Sequence, residues 1–408
     1  MLASRPVSAP VGSLLPGECR LICPALFAAP PGAADLKLRA PALDRLLARA
    51  ERAAAPSRDP LATLAAAFDL TAAASSTARV RLAGGMPQRG AGDDQSPAMP
   101  GAANQAPPVI GPGRDLPSAA LCLLADAPER ARDGCWFHAD PVHLRPDRDR
   151  LLLFAGPVLA PRVDEADALV AAFNAHFADD GLYLIAVRPD RWYLRVAEPP
   201  NLRTCPLYDV LGRDLDACLP SGPDARAWNR WQNEAQMLFY GHPVNQARET
   251  AGRPVISGVW TWGGGVLSTV SGGPALTIAD HPLAVGLARA SGGARRGLDA
   301  LDCAARRDAT GTVLVFWDSL WQAVPAGDVD AWRRGLDALD ALVATLWSEL
   351  AAKRLRHLTI DDGSGDRFTL SRADQRCFWR RRGKLGDWIV RRSDPDRRSR
   401  PPAQHAPR

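Results

Sequence analysis

The chain has 408 residues, 46% of them apolar, with a formal net charge of +5. That length buries a large core and implies two to three domains. Much of the positive excess lies near the C-terminus, so the body is close to neutral, which argues against a nucleic-acid or membrane-surface protein.

In chain order, residues 1–20 lack periodicity and read as a loose N-terminus. Leu21 to Cys23 reads as a short buried strand ended by Pro24. Residues 21–29 look a little like a signal-peptide core, but Glu18 and Pro24 interrupt that pattern, and the cytoplasm is expected. The spacing predicts an amphipathic helix over 40–55, with Leu43, Leu46, Leu47 and Ala50 on one side. A second helix over 59–70 turns Leu61, Leu64, Ala65 and Phe68 inward. Residues 71–117 are rich in Ala, Ser, Gly, Pro and Gln and read as a disordered insertion. A buried strand resumes over 119–125. Then come a strand over 151–154, a helix over 164–178, and strands over 182–188 and 192–196 joined by a turn at Pro189–Asp190–Arg191. The eight cysteines form no CxxC pair and read as reduced, buried thiols. No apolar run is long enough to span a membrane.

The most informative stretch is 219–265. Ser221, Gly222, Pro223 and Asp224 suit a helix start. Gly241, His242 and Pro243 suit its end. Trp228, Trp231, Ala235 and Leu238 share one helical face, and Asn229, Asn233, Gln236 and Tyr240 share another. That second row is polar but uncharged. It suits the wall of a ligand cleft, or equally a packed amide network. Residues 255–262 read as a buried strand, followed by Gly263, Gly264 and Gly265, whose N–H groups could meet a phosphate. No Lys-Ser/Thr follows, so this is not a P-loop. Arg203, Arg213 and Arg248 could hold an anion in a bidentate fork, although surface ion pairing is the commoner use of arginine.

HADPVH supplies His138, Asp140 and His143, donors that suit Zn, Mn or Fe. The plainer reading makes Asp140 a turn cap and both histidines hydrogen-bonding groups. Further on, a helix is expected over 280–291, a strand over 312–317, a long helix over 329–355, a strand over 357–360 and a hairpin partner over 368–370. Strands alternating with helices argue for a mostly parallel sheet covered on both faces.

HPVN at His242 to Asn245, Arg248, Gly252 and WTWGGG at Trp260 to Gly265 resemble a segment of archaeal-type cofactor-independent phosphoglycerate mutases. With WFHADPVHL at 136–144, WYLR at 192–195 and NEAQML at 233–238, the set is closer still to RpfE-type regulatory proteins of bacteria. The resemblance implies an α/β core of alkaline-phosphatase type with an α+β insertion over 136–250. The core would comprise 21–70 with 118–135, and 251–393, before a disordered basic tail at 394–408. It also implies a substrate cleft beside Asn245, Arg248 and the glycines.

Mutases of this kind bind two divalent metals with Asp and His at strand ends and use a Ser nucleophile. Here the first strand is followed by Pro24–Ala25 in place of Asp-Gly. The middle strand is followed by Asp318, with Gln322 where a His would stand. The late strand is followed by Asp361, Asp362 and Gly363. The expected protein is therefore a regulatory relative without catalysis or metal. Its expected partner is a small phosphorylated or carboxylated ligand, bound by Asn233, Gln236, Asn245, Arg248, Trp262, Gly263 and Gly264. A protein partner is possible; neither a membrane nor nucleic acid is expected. The alternative is a phosphomutase or phosphohydrolase with Mn or Zn at His138, Asp140 and His143.

Overall fold

Two separate sheets carry the fold, each the centre of its own unit, in a computed structural model of the chain. The structure describes residues 17–33, 38–55, 57–70, 116–147, 150–211, 215–301, 311–377, 379–380 and 383–393. The expectations for 1–16, for 71–115, for Arg213 and for the tail from 394 lie outside them. The strands are β1 (Gly17–Ile22), β2 (Glu51–Ala54), β3 (Cys135–Asp147), β4 (Arg150–Ala155), β5 (Leu182–Arg188), β6 (Arg191–Val196), β7 (Gly258–Gly265), β8 (Leu276–Ile278), β9 (Ala294–Arg296), β10 (Thr312–Phe316), β11 (Leu355–Asp361) and β12 (Asp366–Ser371). The helices are α1 (Pro41–Arg49), α2 (Pro60–Ala66), α3 (Ser118–Asp126), α4 (Val163–His176), α5 (Leu207–Val210), α6 (Ala225–Tyr240), α7 (Pro243–Thr250), α8 (Pro282–Ala290), α9 (Ser319–Ala326), α10 (Val329–Ala351) and α11 (Leu385–Ser393).

The first unit comprises the chain up to Leu70, Ala120–Asp133 and the chain from Leu267. Its sheet has seven strands in the order β2-β12-β11-β1-β10-β8-β9. The block from β11 to β9 is parallel, and β12 and β2 add antiparallel to one edge. The pattern of β10 explains its central place: Val313, Leu314, Val315 and Phe316 are all buried, as a strand covered on both faces requires. Cys19 and Leu21 of β1 pack with Leu43 and Leu46 of α1, Leu339 and Val343 of α10, and Trp388 of α11. On the other face Ile22 is fully buried, and α2 contacts β1 and α8.

Two sequence expectations fail in this unit, each for an identifiable reason. The run 119–125 is a helix, not a strand. Its alanines and leucines are good helix formers, it lacks β-branched residues, and burial of every residue over 119–123 hides the period that would distinguish the two. α8 approaches it so closely that a Cβ on Gly286 would fall 1.9 Å from the Leu121 carbonyl oxygen. Likewise, the helix predicted over 40–55 stops at Arg49. Residues Glu51–Ala54 instead pair antiparallel with β12, so a hydrogen-bonded sheet edge overrides alanine propensity.

The second unit includes Gly134–Val266. Its antiparallel sheet runs β4-β3-β6-β5, with β7 on the other side of β3. β7 therefore belongs here, although the sequence reading assigns everything from 251 onward to the core. β3 is a strand of 13 residues, where Pro141 suggests an interruption and Asp140 a turn cap. Along one edge β3 pairs first with β6 through His138 and then with β4 from Val142. Pro141 falls in the gap, where the ladder on that edge is already broken. α4 and α6 cover this sheet through Leu169, Phe173, Trp228, Trp231, Ala235 and Phe239.

Candidate functional site

Within the second unit, α6 turns Trp228, Trp231 and Ala235 inward as its period predicts, with Leu238 partly buried. Its Gln232, which the pattern does not single out, is also buried and donates to Thr261 Oγ1 at 3.0 Å, as does Trp228 Nε1 at 2.9 Å. HPVN is the start of a further helix, not a turn after α6. His242 Nδ1 accepts from Val244 N at 3.2 Å, and Pro243 takes the first position, where its missing N–H costs nothing. The same device recurs at His281–Pro282 before α8, with Leu283 N donating to His281 Nδ1 at 3.3 Å. A His-Pro pair thus starts two helices in this chain, one polar and one apolar.

Arg248 does not offer a fork to an anion. Its side chain is 1% exposed, and its three donor positions face inward. Nη1 donates to Glu165 Oε2 at 2.6 Å, Nη2 to the Leu159 carbonyl at 2.6 Å and Nε to the Pro254 carbonyl at 2.8 Å. Glu165 also pairs with Arg253 at 2.6 Å. Burial raises the Glu165 pKa, but the Arg162 N–H, Arg248 and Arg253 outweigh it and hold the carboxyl below its ordinary range. Arg248 and Glu165 are therefore a staple that fixes the start of α4 to the end of α7.

Asn245 is likewise internal. Its amide donates to the Phe239 and Ile256 carbonyls, and its oxygen accepts from Ile256 N, all at 2.8 Å. The glycines are the end of a strand, not an open loop. Gly263 N donates to Thr204 Oγ1 at 3.1 Å. A Cβ on Gly263, which has φ +62, would lie 2.2 Å from Ser118 Oγ, and one on Gly264 would lie 2.1 Å from the Phe137 ring. These glycines are there because neighbouring side chains occupy the space a Cβ needs. Trp262 stacks on His138 with centroids 4.1 Å apart and donates Nε1 to Asp140 Oδ2 at 2.6 Å.

The sequence candidates for a metal do not converge. His138 and Asp140 are two apart on β3 and both meet Trp262, whereas alternation sends His143 to the opposite face. There its Nδ1 lies 2.9 Å from the Val255 carbonyl. Among the described residues, no group of three or more His, Cys, Asp or Glu is arranged to hold a metal ion. Burial pushes the Asp140 carboxyl up to about 6, against the Trp262 hydrogen bond and the Arg191 charge.

Of the amide row, Asn233 is exposed and Gln236 half-buried. Asn229 and Asn233 line a shallow groove of about 770 Å³ along α6, with Arg226, Arg230, Glu234 and Met237. Arg226 and Arg230 are the basic side chains of this groove. They stand three residues before Asn229 and Asn233 and share that side of α6, a spacing from which the sequence could have disclosed them.

In the first unit, the carboxyl ends of the parallel strands are where an α/β sheet presents reactive groups. The residues that the sequence places at strand ends do converge. Trp317 N donates to the Ile22 carbonyl, and Cys23 N to the Asp361 carbonyl, both at 2.8 Å. Yet each acid there already has internal partners. Asp318 accepts from Gln322 Nε2 at 2.6 Å. Asp361 is held between Arg20 at 2.8 Å and Arg367 at 2.7 Å. Asp362 accepts from Ser364 N at 2.9 Å, Asp366 N at 2.8 Å and Arg392 at 3.1 Å. Burial raises both Asp318 and Asp362, and burial followed by the fields of Asp362 and Asp318 drives the Cys23 thiol far up. A thiol held protonated is a poor nucleophile. The donor set does not fit the two-metal centre that the mutase resemblance implies.

No family model matches the chain, and no curated protein does. Among solved structures, the PH0037 protein from Pyrococcus horikoshii aligns over 88% of this chain and 88% of its own, at 13% identity and a TM-score of 0.46. The cofactor-independent phosphoglycerate mutase from Thermoplasma acidophilum DSM 1728 aligns over 87% of this chain and 89% of its own, at 13% identity and a TM-score of 0.35. Among the described residues, no helix is long and apolar enough to cross a membrane.

Proposed function

We propose that this chain is a regulatory, non-catalytic protein of phosphoglycerate-mutase-like type, in the sense of the RpfE-type resemblance, that binds a small phosphorylated or carboxylated ligand. The observation that carries the first half is the occupation of the strand ends. Cys23 is a buried thiol, Gln322 already donates to Asp318, and Asp362 is enclosed by Ser364, Asp366 N and Arg392. A phosphoryl-transfer centre needs ionised donors facing an open position, and these groups face one another.

The ligand half moves from Arg248 to the α6 groove, where Arg226 and Arg230 flank Asn229 and Asn233. Arg230 shares its charge with Glu234 at 3.2 Å, while Arg226 lies on the exposed side of the helix. Guanidinium next to amide suits a small acid that also carries hydroxyl groups.

Thermal unfolding with millimolar 3-phosphoglycerate tests this reading. The ligand should raise the midpoint by mass action, and Arg226→Ala should remove the shift. Phosphate release with stoichiometric Mn or Zn in the purified protein would instead establish an enzyme. No midpoint shift with phosphoglycerate, phosphate or citrate would dispose of the ligand half.

A further inference from the structure

The near-neutral charge of the body hides a local concentration of arginine in the first unit. Arg45 and Arg49 stand one turn apart on α1 and both lie over the Trp347 ring of α10, at 5.5 and 5.3 Å from its centroid. The turn after β12 joins them. Gln375 Nε2 donates to the Trp347 carbonyl at 2.8 Å, and the Arg49 guanidinium donates to the Gln375 carbonyl. Arg380 Nη1 donates to the Arg49 carbonyl at 3.3 Å and to Asp374 Oδ1 at 2.8 Å. Arg376 lies in the same turn and is exposed, and Trp379 shows 66% of its surface to solvent. Among the described residues, Asp374 is the one carboxylate paired with any of these four arginines.

We propose that this face binds single-stranded nucleic acid, with Arg45, Arg49, Arg376 and Arg380 neutralising phosphates and Trp379 offering its indole to a base. Clustered arginines alone would suit any anion. One feature favours a nucleic acid over an acidic peptide. The guanidiniums of Arg45 and Arg49 are held against an aromatic ring, which pre-positions their charge for any anion, but a large exposed indole also stands close by in the chain after β12. Bases have π-faces that use such an indole, and acidic side chains do not. This surface is independent of the α6 groove, so either proposal can fail alone.

Fluorescence anisotropy with a labelled oligo(dT) of about 15 nucleotides and the full chain tests the proposal across a salt series. Four phosphate contacts predict that log affinity falls with log salt with a slope of about −2.8, at roughly 0.7 per contact on single strands. The double change Arg45→Ala/Arg49→Ala should halve the slope, to about −1.4, and Arg376→Ala should lower its magnitude by about 0.7, which serves if the double variant fails to fold. Trp379→Ala should weaken binding at least fivefold and leave the slope alone, since an uncharged indole contributes by stacking on a base. These variants leave the basic residues after 393 in place, so binding indifferent to all of them would assign the affinity to the tail and overturn the proposal. Equal competition by poly-glutamate of matched charge would overturn it in favour of an acidic protein partner.

Discussion

Arg248 Nη1 lies 2.6 Å from Glu165 Oε2, with the two side chains 1% and 8% exposed and 83 residues apart in sequence. Removing Glu165 strands the buried Arg248 guanidinium, a loss of about 3–5 kcal/mol, whereas removing Arg248 leaves Glu165 paired with Arg253. Glu165→Ala should therefore lower stability by that amount, and Arg248→Ala should destabilise with or without ligand through the Leu159 and Pro254 carbonyls it leaves unpaired. The double change should cost less than the two singles summed, because the buried guanidinium is then gone and only the part-exposed Arg253 loses its partner. Urea unfolding of the four proteins checks this. An Arg248→Ala protein of normal stability that has lost only its ligand response would restore the anion-fork reading.

A second expectation follows from Asp140. Its carboxyl is raised to about 6 by burial, with the Asp190 charge adding to that and Trp262 and Arg191 opposing it. The folded pKa exceeds the ordinary value, so the native state holds this proton more tightly than the unfolded chain. The contribution to stability is full below about pH 4 and is lost as pH rises towards about 6. After discounting for partial exposure, the swing should be about 1–2 kcal/mol. Asn at 140 can still accept from Trp262 Nε1, so Asp140→Asn should flatten this part of the pH profile. Thermal midpoints of both proteins at pH 4, 5, 6 and 7 give the comparison; parallel profiles would show that Asp140 does not titrate there.

Gly264 and Phe137 make a third, steric test. A Cβ at position 264 would sit 2.1 Å from the Phe137 ring, so Gly264→Ala forces that ring to move within a packed cluster. Overpacking of this kind costs about 1–3 kcal/mol. Phe137→Leu in the same molecule should recover part of the loss. A loop that exposes its N–H groups to a ligand would instead accept alanine without change in stability.

The contrast between these residues shows what the sequence could disclose. The strands around Leu21, Val315, Ile360 and Phe368 are legible because short segments with β-branched or aromatic residues are bounded by turn residues. The long helix α10 is legible from its period alone. By contrast, residues 119–123 are all buried, so no period distinguishes helix from strand, and 51–54 become a strand only because β12 offers an edge. The site divides in the same way. That Cys23, Asp318 and Asp362 meet follows from their common place after parallel strands. The fate of Arg248 depends on Glu165, and nothing local in the sequence relates those positions. A motif can single out an arginine without revealing which partner claims it.

The last prediction concerns Cys23, which separates a closed strand end from an open one. Its thiol is fully buried, and burial together with the fields of Asp362 and Asp318 keeps it protonated. It should therefore resist alkylation by iodoacetamide in the native protein, while the half-buried Cys205, Cys218 and Cys377 label first. Peptide mapping after timed labelling reads each site separately, and unfolding in urea should remove the protection. Substitution sharpens the test. Cys23→Ser keeps size and neutrality and should be tolerated with a loss of about 1–2 kcal/mol, from burying a hydroxyl that lacks a ready partner. Cys23→Asp places a third carboxylate against two that are already raised, and should cost more than about 3 kcal/mol or titrate in the folded state. Millimolar Mn or Zn should not rescue that loss if Asp318 remains tied to Gln322 and Asp362 to Arg392. Metal-dependent recovery of Cys23→Asp, together with rapid labelling of native Cys23, would mean that the strand ends retain an open donor cluster, and the non-catalytic reading would fall with it.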